Sequence, residues 1–321
     1  VLFATLRHLE QRNEKRQDWS QLMTPAAPTD FLKVDKVERG ESPWSKARRR
    51  FFRHRLAMVG VAILGTMILM AIFAPLLTQY SPIEINLTNM SKPPGNGHLL
   101  GTDTTGRDVW ARILYAGRVS LSVGLVAVTL STLIGVLIGG LAGYAGGWVD
   151  MALMRFTDMV MTFPSLVIII TVASVLGPSI YNTMLVIGIL TWTGTARLVR
   201  GQILSLREQQ FVLAARSMGV APREIMSKHL LSNVVSSVTV AATFGMASAI
   251  LQEASLSFLG LGVQSPTPSW GNMLRDAQTL SILEGMPWLW LAPGIMIALA
   301  VLSINFIGDG LRDAVDPRSL K

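Results

Sequence analysis

The 321-residue sequence contains no cysteine, which excludes disulfides and thiolate metal sites. Charge is scarce: Asp, Glu, Lys and Arg make up 15% of the chain, against about 25% in soluble domains. The four histidines, His8, His54, His98 and His229, are scattered without metal-ligand spacing. No Gly-Lys pair occurs anywhere, which removes the phosphate-cradling G-x-x-x-x-G-K-[ST] loop. Neither H-E-x-x-H nor G-x-S-x-G is present, which argues against zinc or serine hydrolysis. Catalysis by this chain is not expected. If ATP drives it, hydrolysis belongs to another chain.

What is abundant is apolar surface, since half of the residues are hydrophobic. Asp, Glu, Lys and Arg are missing from Leu56 to Ile83, Val119 to Val149, Met159 to Ala196, His229 to Gln252, Ala254 to Leu274 and Gly285 to Gly308. A membrane crossing needs about 20 apolar residues. The expected fold is therefore all-α and polytopic, with spans near 56–77, 120–142, 160–177, 183–203, 234–252 and 288–307. Gly177, Pro178 and Asn182 divide the longest run into a hairpin, and Pro164 is expected to kink its first arm. Gly135, Gly139 and Gly143 form a small-xxx-small stripe that has to be buried against some helix. Residues 1–55 contain no apolar core of signal-peptide length, so the first span is expected to serve as an uncleaved targeting signal.

Six spans put both termini on one side. With the N-terminus inside, only Lys92, Arg107, Arg112, Arg118 and Arg275 of the 28 Lys and Arg fall outside. The positive-inside rule thus makes both termini cytoplasmic and accounts for the +8 net charge. Arg48, Arg49, Arg50, Arg53 and Arg55 read as a topology anchor at anionic headgroups. Basic residues are not interleaved with aromatics there, so no nucleic-acid partner is expected. The organisation is a cytoplasmic arm (1–55), a first helix with an outer loop (56–118), and a five-helix core (119–321) carrying a cytoplasmic loop at 204–233.

The loop from Glu208 to Asn233 is the most informative segment. Phe211, Ala214, Ala215 and Met218 fall at i, i+3, i+4 and i+7, one apolar face of a short helix. Gly219 can end that helix in a left-handed cap, and Pro222 suits the first turn of a second. Such a helix-turn-helix offers small side chains to a partner's groove; a basic linker between membrane helices is the plainer alternative. Asp158, Arg197, Arg200 and Glu253 are the ionisable groups nearest membrane depth. For each, a place at the interface competes with a functional role. Glu253, flanked by apolar sequence, can either bond a neighbouring helix end or line a substrate path.

Seven blocks then stand in order: HLLGTDTTGRD (98–108), RILYAGRVSLSVG (112–124), MRFTDMVMTFPSL (154–166), the loop, EASLSFLGLG (253–262), PTPSWGNML (266–274) and GDGLRDAVDPR (308–318). Over about residues 45–321 the chain resembles the C-type permease subunit of bacterial dipeptide and oligopeptide ABC importers. The resemblance implies the type I importer permease fold in the bacterial cytoplasmic membrane. It implies as partners a homologous B-type permease, two cytoplasmic ABC ATPases and an extracytoplasmic substrate-binding protein. ATP and Mg would sit on the ATPases, with no cofactor on this chain. The loop resembles the EAA loop, with Leu213 in place of its Glu and Ser232 where a Pro often closes it. ATPase coupling would then rest on Phe211, Ala214, Ala215, Met218 and Gly219, with Arg216, Arg223 or Glu224 supplying charge. Pro164 and Glu253 are the candidates for the translocation path. Peptide is the expected cargo; nickel chelates, glutathione or oligosaccharides are the alternatives. A secondary transporter or channel would need a self-contained repeat pair and midplane charges.

Overall fold

The computed structural model describes residues 43–95 and 97–315. Most of the expected N-terminal arm and the last six residues lie outside the described residues. Among the described residues the chain is helical, with no strand beyond two isolated bridges. Helix α1 (Pro43–Arg53) ends at His54, which caps α2 (Arg55–Ile72). His54 Nδ1 accepts from the Ala57 amide at 3.1 Å, and its Nε2 faces Asp313 at 3.4 Å. Pro75 opens the short α3 (Ala74–Leu77), and an irregular excursion then runs to Asp108.

The central helix is α4 (Val109–Ala145). It starts about three turns earlier than the charge-free run suggested, because Arg112 and Arg118 lie inside it with their charges answered. Arg112 faces Asp276 at 3.2 Å, and Arg118 donates to the Ala71 and Ile72 carbonyls. The expected boundary at residue 118 thus falls within a continuous helix.

After α4 come α5 (Gly147–Thr162), α6 (Ser165–Leu176), α7 (Ile180–Leu190) and α8 (Thr193–Leu206). α5 and α6 meet at an 82° bend around Phe163 and Pro164, far sharper than a kink within one helix. The Gly177–Pro178 hairpin is as expected, with Gly177 at φ +80°. The span expected at 183–203 is instead divided at Thr191–Trp192.

The glycine stripe of α4 is filled by α8 of the same chain. A Cβ on Gly139 would stand 2.2 Å from the Ala196 carbonyl oxygen, and one on Gly143 would stand 3.0 Å from that of Arg200. Only glycine permits this approach. Leu133, Leu137 and Leu141, on the opposite face, are exposed, as a lipid-facing surface requires. Two ion pairs clamp α5 to α8: Asp150 with Arg200, and Asp158 with Arg197.

The cytoplasmic-loop segment contributes α9 (Gln210–Ser217) and α10 (Pro222–Glu224). α10 passes through a π-turn (Ile225–Leu231) into α11 (Ser232–Phe258). Two short helices, α12 (Trp270–Asp276) and α13 (Leu280–Gly285), lead to α14 (Trp288–Val315). α2, α4, Pro222–Phe258 and α14 are each long and apolar enough to cross a membrane. The bent α5–α6 pair makes a fifth candidate. The largest apolar core gathers the start of α4, α11, α12 and α14 around Trp270, which is fully buried.

Candidate functional site

The loop is built from a small core of its own. Val212 and Ala215 of α9 turn inward onto Val199 and Ile203 of α8 and onto Ile225 and Leu230. The helix ends in a Schellman cap: the Val220 amide donates to the Ala215 carbonyl and the Gly219 amide to that of Arg216. Gly219 adopts φ +77°, the left-handed conformation expected of it. No other atom lies within 4 Å of where its Cβ would be, so the demand for glycine comes from the backbone alone. Pro222 opens α10 in the first turn, as its position suggested. Ser232 donates to the Ser227 carbonyl, and the helix runs unbroken from Pro222 to Phe258. The connection into the bundle is therefore helical throughout, by way of the π-turn, although the proline is missing.

The apolar face read from the sequence is divided by the fold. Phe211 is 44% exposed and Met218 76%, and Ala214 also faces outward, but Ala215 is buried. Val212, absent from the i, i+3, i+4, i+7 series, is the residue that joins Ala215 inside. The outer surface is Phe211, Leu213, Ala214 and Met218, edged by the exposed Arg216 and Arg223. Glu224 is taken up by Lys228.

The two path candidates fare differently. Pro164 is exposed at the α5–α6 bend. Glu253 is 0% exposed within this chain. Its carboxylate oxygens accept from Ser120 of α4 at 2.8 Å and Ser257 at 2.7 Å. Ser120 Oγ in turn accepts from the Trp270 amide, and Ser257 Oγ from that of Val263. Through these bonds Glu253 links α4, α11 and the start of α12.

A second polar centre was not read from the sequence as a unit. Asp103 accepts from the Thr105 and Arg107 amides and from the Arg107 guanidinium at 2.6 Å. Arg107 and Arg112 both reach Asp276 of α12, at 3.3 and 3.2 Å. Burial raises the Asp103 carboxyl's pKa, but Arg112, the Thr105 hydroxyl and Arg107 outweigh it and hold the group below its ordinary value. Asp108 caps α4 through the Ala111 amide and also meets His98 Nδ1 at 2.8 Å. Gly106, at φ +79°, leaves no room for a side chain, since its Cβ would fall 1.8 Å from the Asn86 carbonyl oxygen. The HLLGTDTTGRD block is a signature of this cap. The alternation of Asp and Arg around Gly106 was the available signal.

Comparison with known proteins places the chain. Residues 135–321 match the family "Binding-protein-dependent transport system inner membrane component", and residues 42–94 match "N-terminal TM domain of oligopeptide transport permease C". A putative peptide permease protein of Brucella suis is 44% identical over 277 residues, 86% of this chain and 92% of that protein. The dipeptide transport system permease protein DppC of Alkalihalophilus pseudofirmus is 44% identical over 86% of this chain and 90% of its own length. The oligopeptide transport system permease protein OppC of Bacillus subtilis is 39% identical over 94% and 98%. A chain of the inward-facing MetNI methionine ABC transporter shares the fold at a TM-score of 0.50 and 17% identity, covering 62% of this chain and 94% of that one. The chain belongs to the family of binding-protein-dependent transport system inner membrane components. It is a multi-pass protein of the bacterial inner membrane and a permease subunit.

Proposed function

We propose that this chain is one of two permease subunits of an ATP-driven importer that admits peptides to the bacterial cytoplasm. Six crossings leave both termini inside, the bent α5–α6 pair and the divided α7–α8 pair each completing one. Residues 1–55 are a cytoplasmic arm, residues 78–108 an outer cap on the first crossing, and the remainder the permease core. A homologous permease encloses the path with this chain, and an extracytoplasmic binding protein delivers the cargo. Two ATPases holding Mg and ATP grip the loop around residues 208–233.

One observation carries the reading. The loop has its own core beneath it, yet leaves Phe211, Leu213, Ala214 and Met218 outside, on a short helix whose inner face packs against the segment that continues into α11. A closing ATPase can move such a piece as a lever and so bias the bundle between two arrangements. Relatives named as dipeptide and oligopeptide permeases support peptide as the cargo.

Labelling in whole cells tests the orientation, and the cysteine-free sequence gives a clean background. Ser45→Cys and Ser319→Cys variants should resist an impermeant thiol reagent, and Asn96→Cys should react. Labelling of Ser45→Cys from outside inverts the topology. ATP hydrolysis or ion flux by the purified single chain would overturn the division of labour.

A further inference from the structure

Between α4, the α7–α8 break and α11 lies a cavity of about 170 Å³. Ser131 and Thr132 of α4, Thr191 and Thr195 at the break, and Ser248 and Gln252 of α11 supply its polar lining. No Asp, Glu, Lys, Arg or His lines it. Hydroxyls and amides between membrane helices ordinarily bond across the helix interface, and here several of them face an open volume instead.

Two observations point to a ligand. The Gln252 carbonyl oxygen is buried and has no hydrogen-bond partner. The large majority of buried side-chain polar atoms are paired. Nearby hydroxyls behave differently: Thr129, Thr239 and Thr243 each turn back to a carbonyl four residues earlier on their own helix. The second observation is the helix break itself. α7 ends at Leu190 and α8 begins at Thr193, so the backbone is irregular at the cavity wall. Non-helical backbone at membrane depth is tolerated where it is enclosed by protein or lines a cavity, and broken helices recur at transport sites.

We propose that this pocket is a main-chain-reading subsite of the translocation path, in which the Gln252 side chain exchanges hydrogen bonds with a peptide group of the cargo. This rests on the reading of the chain as a peptide-importer permease. A glutamine amide presents one acceptor and two donors, the complement of a peptide N–H and C=O. Among the surrounding hydroxyls, Thr191 donates to the Ile187 carbonyl and can only accept from cargo; no such bond to their own helix occupies those of Ser131, Thr132, Thr195 and Ser248. The peptide group is the one feature that cargo peptides of different sequence share, and a neutral lining does not sort their side chains by charge. Neutral hydrogen bonds are also weak enough to release what they hold, as passage requires.

The assembled importer, reconstituted with its binding protein, tests this with a defined tripeptide. Gln252→Leu keeps the size of the side chain and removes its polar atoms. Because the replaced oxygen is unpaired, complex recovery and thermal stability should stay level or rise. Uptake at saturating peptide should fall about tenfold, the worth of one well-made hydrogen bond. Thr195→Val should act in the same direction. In a Gln252→Cys variant, a small aqueous thiol reagent should add mass to this chain, and peptide delivered by the binding protein should slow that reaction. Binding protein without peptide should not slow it. Wild-type uptake in both Gln252→Leu and Thr195→Val overturns the subsite. So does a loss of uptake that tracks loss of assembled complex, without peptide protection of Gln252→Cys. An unmodified importer that moves no peptide overturns the functional reading itself.

Discussion

The 78–108 cap and the loop around residues 208–233 bury opposite kinds of residue. In the cap, His98, Thr102, Asp103, Arg107 and Asp108 are all buried, and each is bonded to a neighbour. In the loop the buried residues are Val212, Ala215, Ile225 and Leu230, with the charges of Arg216 and Arg223 outside. Polar groups buried in a completed network fix one geometry and ask for nothing further. Apolar side chains left on a surface above a finished core are free for a partner. The cap's polar groups find their partners within this chain, Arg107 reaching Asp276 of α12, and the loop is open.

The comparison predicts where each substitution is felt. The largest effect should come from the cap. Asp103→Ala leaves Arg107 and Arg112 sharing Asp276 alone, and breaking a buried ion pair costs about 3–5 kcal/mol. Protease cleavage within residues 78–108 should appear in the variant and not in the parent. Chains that survive should still retain ATPase subunits. The same group sets an acid limit. Its folded pKa is held below that of a free carboxyl, so the stabilisation is fully present well above the unfolded value and is lost as pH falls through the folded one. Cap cleavage should stay unchanged from pH 7 to 5 and rise only below about pH 4. A rise between pH 7 and 5 would mean that Asp103 does not hold the cap.

Ala215→Trp comes next. From the sequence alone, the enlarged side chain would overfill the contact with the ATPase. Since Ala215 is buried, the indole instead collides with Val199, Ile203 and Ile225 of the same chain. Overpacking of this kind costs about 1–3 kcal/mol or more. Faster hydrogen exchange of the Ala215–Val220 cap should accompany loss of ATPase subunits. Loss of ATPase with unchanged exchange would return Ala215 to the contact surface. Gly219→Val should cost less, about 1–2 kcal/mol for a left-handed backbone, with a β-branched residue at the upper end. Gly219→Asn, which tolerates that conformation, should restore uptake and ATPase recovery. Equal failure of both would show that the open space beside Gly219, rather than its backbone, is what matters.

Much of this geometry was legible in the sequence, for reasons that differ by region. Gly219 and Pro222 could be placed because cap and first-turn preferences are local to the backbone. The apolar face of α9 could not be resolved, since 211, 214, 215 and 218 and the adjacent Val212 are all apolar. Only packing against α8 chooses between them. Charge did not mark the helix end at α4, where Arg112 is paired with Asp276 and Arg118 donates to the Ala71 and Ile72 carbonyls. The division at Thr191–Trp192 carries no proline or glycine within it, and it arises beside a cavity that periodicity does not record. The glycine stripe was read correctly as a packing face. Its filling by α8 means that it does not by itself require a second subunit.

The smallest effect on stability, and the most direct test of the open loop, belongs to Met218. Its side chain is 76% exposed at the end of α9, and it makes no contribution to the loop's buried core. Surface substitutions of this kind change stability by about 0.5 kcal/mol or less. Met218→Asp should therefore leave thermal unfolding, protease resistance and recovery of the permease partner at parental values. It also places a carboxylate beside Arg216, within a surface that an ATPase groove would have to desolvate. ATPase subunits should be lost on purification and uptake should fall, although the fold is untouched. Met218→Leu keeps the apolar contact and should retain both. This pattern, function lost without stability, is the reverse of that expected for Asp103→Ala in the cap. Full ATPase recovery in Met218→Asp would leave the exposed face without a partner and move the coupling surface elsewhere on the chain.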